Sequence, residues 1–273
     1  MMKPRRIIGK SVVLLSAALV FALLLALLAY ILIRGIPHLR PSLFAWNYTT
    51  ENLSLLPALV NTVQMVLLTL LIAVPCGVGG AVYLVEYAPR GSRLVKLIRT
   101  TAETLSGIPS IVYGLFGYLM FVLSCRMGNS LLAGALTLAI MVLPTLLRTT
   151  EEALMAVPDS FREGSFGLGA GKLRTVFRIV LPAAMPGISS GVVLAVGRIV
   201  GETAALIYTA GTVTGRAQGI MASGRTLAIH LYCLLNEGLY MDEAYATAVV
   251  LLVLVIGINA LSNTLAKHLS KSQ

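Results

Sequence analysis

Arg198 and Glu202 are the residues in this chain whose chemistry stands out. Both sit in an otherwise apolar run, about Gly187 to Tyr208. At a rise of 1.5 Å per residue, Arg198 lies roughly 16 Å into that run, close to its middle. An ion at such depth in hydrocarbon costs at least about 2.5–3.5 kcal/mol on insertion scales. The i, i+4 spacing predicts that Glu202 shares its helix face and partly neutralises it. Two readings stay open: a packing salt bridge that satisfies two buried ions, or an arginine facing a path and offering its planar fork to an oxyanion. In the second, Glu202 keeps the interaction weak enough for release. Gly197 and Gly201, four residues apart, predict a close helix contact that turns Arg198 toward protein rather than lipid. Tyr113 and Thr203 are further path candidates, each also at home in helix packing. Glu103, beside the basic 90–99 loop, reads as an interfacial acid.

The second constellation is polar and structural, Glu163 to Pro182, EGSFGLGAGKLRTVFRIVLP. Val157-Pro158-Asp159 stops one helix. Ser160 and Glu163 have capping-box spacing, which predicts a short helix from about Phe161 to Leu168. Gly169 suits the left-handed residue just past a helix end. A second helix is expected from about Gly171 to Leu181, with Leu173, Val176, Phe177 and Val180 on one face and Lys172, Arg174 and Arg178 turned to headgroups or water. By itself this describes either a hairpin lying on a bilayer or a segment shown to another protein. Gly169-Ala170-Gly171-Lys172 imitates part of a phosphate-cradling loop. That motif needs a glycine where Phe166 stands and Ser or Thr where Leu173 stands. No ATP site of that kind is expected in the chain, so it reads as a subunit that is not itself an enzyme.

The elements that must position these residues are membrane spans. Hydrophobic residues make up 57% and charged residues 12% of 273, against about 25% charged in soluble domains. Six spans are expected: about Ser11–Ile33, one within Leu55–Val85 interrupted near Pro75-Cys76-Gly77, about Thr104–Ser124, Leu131–Leu147, Gly187–Tyr208 and Ala246–Ala266. With both termini cytoplasmic, residues 1–10, 86–103, 148–186 and 267–273 carry 15 of the 21 lysines and arginines. Arg34, Arg40, Arg126, Arg216 and Arg225 fall outside. This is the bias of the positive-inside rule, and it explains the net charge of +10 without nucleic acid. The first apolar stretch exceeds a signal-peptide core and lacks a clear cleavage site, so it reads as a retained anchor. Cys125 and Cys233 both fall outside, where a disulfide is allowed; three free thiols are the alternative. No metal-ligand spacing occurs, and no cofactor is expected.

The Glu163–Pro182 segment resembles the coupling loop of importer-type ABC permeases. The pattern is Glu-Ala-Ala, three residues, Gly, nine residues, Ile, any residue, Leu-Pro. Glu163, Gly169, Ile179, Leu181 and Pro182 fall in register. Gly164 and Ser165 stand where alanines are usual. Asn61-Thr62, Tyr83 to Tyr87, Gly107 to Gly114, Glu152-Ala153-Leu154 and Gly197 to Ala204 are similar to the phosphate-specific permeases. The short amino-terminal region and Leu227 to Tyr232 favour their A subunit over the C sister. The resemblance covers about residues 55–266.

It implies an all-α, six-span permease domain in a bacterial or archaeal plasma membrane. Residues 1–54 would form an anchor span and outer loop, 55–266 the transmembrane domain with its coupling loop at about 148–186, and 267–273 a cytoplasmic tail. It places ATPase coupling on Ser160, Glu163, Gly164, Ser165, Gly169 and Ala170, and the translocation path on Arg198 and Glu202. It implies four partners besides membrane lipid: a cytoplasmic ATPase, a second permease (the C sister in a heterodimer), an extracytoplasmic phosphate-binding protein that docks on outer loops including 209–245, and inorganic phosphate. A permease for molybdate or sulfate and a non-transporting membrane scaffold or sensor remain as alternatives.

Overall fold

A computed structural model describes residues 4–89 and 91–271, and among them there is no β-strand. The helices are α1 (Pro4–Gly35), α2 (Leu56–Val82), α3 (Arg93–Ser106), α4 (Ser110–Gly117), α5 (Leu131–Met155), α6 (Asp159–Gly167), α7 (Lys172–Thr175), α8 (Leu181–Gly201), α9 (Ala204–Thr209), α10 (Leu227–Glu237) and α11 (Met241–Lys271). Wide π turns extend α2 through Tyr83–Tyr87 and α4 through Tyr118–Ser124, and another joins α7 to α8 through Val176–Val180. Five helices are long and apolar enough to cross a membrane. A bent pair, Arg93–Ser106 with Ser110–Ser124, makes six if counted as one span.

Four expected spans are redrawn by the structure. Thr104–Ser124 is not one helix: α3 and α4 meet at 105°. Pro109 lacks a donor and disfavours helical backbone at Ile108, so the chain turns there. The interruption expected at Pro75 does not occur. α2 runs unbroken through it, held against α5 by buried Ala73 and by Gly77, where a Cβ would stand 2.9 Å from the Leu146 Cβ. α5 continues to Met155, well past Leu147. The surface helix expected over Gly171–Leu181 is continuous with the fifth span. Pro182 lies within that continuous helix, directly after the π turn at Val176–Val180, which widens the backbone where the ring would otherwise press on the preceding turn.

α5 is the axial element. Leu138, Met141 and Leu146 are fully buried among Met65 of α2, Ile199 of α8 and Leu206 of α9. Small residues set the crossings. Gly191 admits Thr149, and Gly187 admits Ala153, whose Cα a Cβ would approach to 3.4 Å. The close small-residue contact of α8 is therefore Gly187–Gly191. A Cβ on Gly197 or Gly201 would meet nothing within 4 Å, so no other described helix of this chain makes the close contact expected there. α1 packs only by its last turns, through a Tyr30–Tyr245 hydroxyl contact of 3.0 Å and close approach of Gly35 to Tyr245 and Val249. Its apolar body is uncovered, as lipid permits. Cys76, Cys125 and Cys233 are all free.

The outer loop that follows α9 folds back into the bundle, pinned by Asn61 and Thr62. Asn61 Nδ2 donates to the Gly215 and Arg225 carbonyls, both at 3.1 Å, and its Oδ1 accepts from the Ala217 amide at 3.0 Å. Thr62 Oγ1 accepts from the Leu227 amide at 2.8 Å, satisfying an orphan donor at the start of α10. Beneath it lies a buried polar stack: Arg225 over the Tyr48 ring at 4.8 Å, and Tyr48 edge-on to His230 at 6.2 Å.

Burial, and secondarily the Arg225 charge, push His230 down to about 3. The unfolded chain therefore takes up a proton near pH 6.5 that the folded chain refuses until about pH 3. Stability is lost as pH falls through that window, by up to about 1.4 kcal/mol per pH unit. Thermal melting of the purified chain in detergent should show this slope below pH 6.5, and His230→Gln should flatten it. An equal slope in both proteins would refute the assignment.

Candidate functional site: a broken span and a polar hairpin

Arg198 occupies the last turn of α8, and Glu202 lies beyond the helix end. The backbone at Glu202 is extended, φ −75° and ψ 129°. The same-face i, i+4 pair expected from the sequence therefore does not exist, and no Arg198–Glu202 ion pair forms among the described residues. Glu202 is 9% exposed and turns the other way: its carboxylate accepts the Ala205 amide at 3.1 Å. It thus satisfies a donor at the start of α9, where negative charge is also favoured.

Arg198 is half-buried, and among the described residues no carboxylate pairs with it. Its placement agrees with the negative end of the α8 dipole. α4 closes one side of the break. A Cβ on Gly114 would stand 2.7 Å from the Ala205 Cα, so α4 rests on the first turn of α9. Adjacent Tyr113 is buried and within reach of the Arg198 charge, and its hydroxyl donates to the Leu105 carbonyl at 2.7 Å. The structure thus brings Arg198 together with Tyr113, and sets Glu202 and Thr203 as the break itself. Unwound backbone within a span is tolerated where it is buried in protein or lines a cavity. On the side of Leu194, Gly197 and Gly201 the site is open within this chain.

The polar hairpin is built from α6 and α7. α6 begins directly after Pro158, whose side chain cannot cap, so Ser160 and Glu163 form no capping box. Both are exposed, as is Gly164. The C-terminal end matches the expectation. Gly169 has φ +81°, its amide reaches the Phe166 carbonyl at 2.9 Å, and the Ala170 amide reaches the Ser165 carbonyl at 3.1 Å. This is a Schellman closure. Ser165 is 4% exposed and hydrogen-bonds Thr175 at 2.8 Å, so it ties α6 to α7 rather than facing outward. Val176 and Val180 enter the core while Leu173 and Phe177 are exposed, so the four do not share one face. Gly169→Ala would force an L side chain into the left-handed region and should destabilise the hairpin by about 1–2 kcal/mol. Faster proteolysis confined to residues 160–175 would report it; unchanged cleavage would not fit this geometry.

Arg162 and Glu86 were not legible from spacing. Arg162 Nη2 lies 2.7 Å from Glu86 Oε1, with side-chain exposures of 15% and 8%. The same guanidinium donates to the Val157 carbonyl at 2.8 Å and the Leu154 carbonyl at 3.0 Å, and pairs with Asp159 at 3.2 Å. One side chain thus joins α6 to the ends of α2 and α5. Arg99 similarly joins α3 to buried Glu151 of α5. The sequence signal was only an acid and arginines beside apolar runs. Among the described residues no cluster of His, Cys, Asp and Glu could hold a metal.

Comparison with known proteins agrees with this architecture. Residues 73–273 match the family described as binding-protein-dependent transport system inner membrane component. The chain is 36% identical to the probable ABC transporter permease protein YqgI of Bacillus subtilis, over 94% of this chain and 93% of that one. It is 36% identical to the phosphate transport system permease protein PstA of Mycobacterium leprae, over 74% and 67%. A bacterial alginate ABC transporter crystallised with its pentasaccharide-bound periplasmic protein shares the fold, at TM-score 0.63 and 17% identity over 94% and 96% of the two chains. The chain therefore belongs to the binding-protein-dependent transport system inner membrane components, the permease family of ABC importers.

Proposed function

We propose that this permease carries inorganic phosphate. The observation that carries the reading is Arg198: a half-buried guanidinium at a helix break, without a protein carboxylate, facing an open side of the bundle. A cation left unpaired in a span is expensive unless its partner is the substrate. A phosphate oxyanion matches its planar fork. The name of the Mycobacterium leprae relative supports phosphate. Glu202 acts by holding α9, and so positions Arg198 without touching the anion.

A second permease, the C sister of a phosphate system, closes the open face at Gly197 and Gly201. A cytoplasmic ATPase docks on the exposed side of α6, where Phe161, Glu163, Gly164 and Leu168 are presented. Gly169, with Ser165 and Ala170 behind it, keeps that helix rigid. A phosphate-binding protein meets the outer loops of 209–245.

Uptake of radiolabelled phosphate in cells lacking their own importer, with the partner subunits supplied, tests the reading. Phosphate uptake that saturates and requires ATP is expected. Uptake of molybdate or sulfate in its place would assign another oxyanion. Assembly without any uptake would make the chain a scaffold.

A further inference from the structure

We propose that the cytoplasmic half of α2 and the α7–α8 elbow form a binding groove for one anionic phospholipid. Its acyl chain would lie between the helices and its headgroup phosphate would sit on Lys172. The groove holds about 740 Å³, within the size range of small-ligand sites. Val74, Val78 and Val82 form one wall and Phe177, Met185 and Ile188 the other, with Ser189 a rare polar group among them. Its floor exists because α2 carries Pro75 and Gly79 there. A Cβ on Gly79 would meet nothing within 4 Å.

The groove spans fourteen residues from Val74 to Tyr87, or about 20 Å along the helix. One leaflet of hydrocarbon is about 15 Å deep, so a chain seated here starts at the headgroup level and ends near the bilayer centre. The mouth is marked by two half-exposed aromatic residues, Tyr83 and Tyr87, the type that populates membrane interfaces. Lys172 Nζ stands 5.1 Å over the Tyr87 ring, just beyond the groove in an adjoining polar recess that also holds Glu86, Asp159 and Arg162. Arg162 pairs with both of those carboxylates, and among the described residues Lys172 has no carboxylate partner.

This combination chooses the occupant. A partner helix would fill the apolar walls but leave the lysine unanswered. A zwitterionic lipid would bring its own cation against the lysine. A lipid with net negative charge satisfies both the walls and Lys172. The proposal rests on the membrane reading and is independent of which oxyanion is carried.

The test uses the assembled transporter, purified through a tag on this chain and reconstituted in phosphatidylcholine vesicles. These carry a trace of diazirine-acyl phosphatidylglycerol or, in parallel, diazirine-acyl phosphatidylcholine. After photolysis, labelled peptides are mapped by mass spectrometry. Labelling of the 74–87 and 173–188 segments should be about fivefold greater with the phosphatidylglycerol probe, the ratio expected for one basic residue beside an anionic headgroup. Lys172→Gln should bring the two probes level, and Lys172→Arg should keep the preference. Gly79→Leu, which fills the groove without changing charge, should remove labelling there by both probes while α1 stays labelled. Equal labelling of the native protein by both probes would reduce the groove to ordinary lipid contact and overturn the proposal. Labelling of α1 but not of the groove would show that a protein covers it, and would equally overturn it.

Discussion

Arg198→Gln should lower phosphate uptake by about 10-fold to 100-fold while the transporter still assembles. The magnitude is that of losing one charge-assisted hydrogen-bond set, about 1.5–3 kcal/mol. Assembly should survive because no carboxylate depends on Arg198. Glu202 is occupied by the Ala205 amide, so the substitution leaves no orphaned buried anion. Arg198→Lys separates two roles. It keeps the charge but loses the planar fork, so an arginine that grips an oxyanion should be rescued poorly, whereas a generally positive path should be rescued well. Uptake and ATP hydrolysis should be measured together. Uptake lost with binding-protein-stimulated hydrolysis retained places the arginine in the path. Loss of both would make it part of the coupling machinery. Full uptake by the glutamine variant would sink the path assignment.

Arg162→Met should produce the largest loss of stability, about 3–5 kcal/mol. It leaves Glu86 as an uncompensated buried charge and strips a donor from the carbonyls of Leu154 and Val157. Melting in detergent reads the loss. The companion variant, Arg162→Met with Glu86→Met, removes the stranded charge and should recover much of that stability, since apolar replacement of a buried pair is often neutral. Transport should not recover. The ion pair is a direct polar tie between α6 and the Tyr83–Tyr87 end of α2, and on the proposed function a coupling helix must pull on such a tie. The double variant should therefore hydrolyse ATP with fewer phosphates delivered per turnover. A double variant that transports like the native chain would show that apolar packing of Val176 and Val180 transmits the motion unaided.

The two sites differ in how local their sequence signals are. The hairpin was foreseen in outline because its signals are local. Pro158 stops a helix and Gly169 is the residue that tolerates φ +81°. The capping box does not form because the helix begins two residues earlier, at Asp159, where proline supplies the first bend. Competition between adjacent start signals is settled by where Arg162 anchors. The Arg198–Glu202 pair failed for a related reason. An i, i+4 argument assumes an unbroken helix, and Gly201 ends this one. Extended backbone at Glu202 is maintained because Gly114 lets α4 press on Ala205, a contact between residues far apart in the chain.

By itself, the sequence determined that this is an all-helical polytopic membrane protein with its lysines and arginines gathered at one set of span ends and a polar hairpin at Glu163–Pro182. Those properties follow from composition, run length and short-range backbone preferences, which need no partner. Tertiary structure alone decided which glycines make close contacts and how Asn61 fastens the outer loop. It also decided that Arg162 would clamp onto Glu86 and that Arg198 would be left without Glu202. Each of these depends on steric fit or hydrogen bonding between distant segments, and identical residue spacings such as Gly187–Gly191 and Gly197–Gly201 acquire opposite roles according to what packs against them.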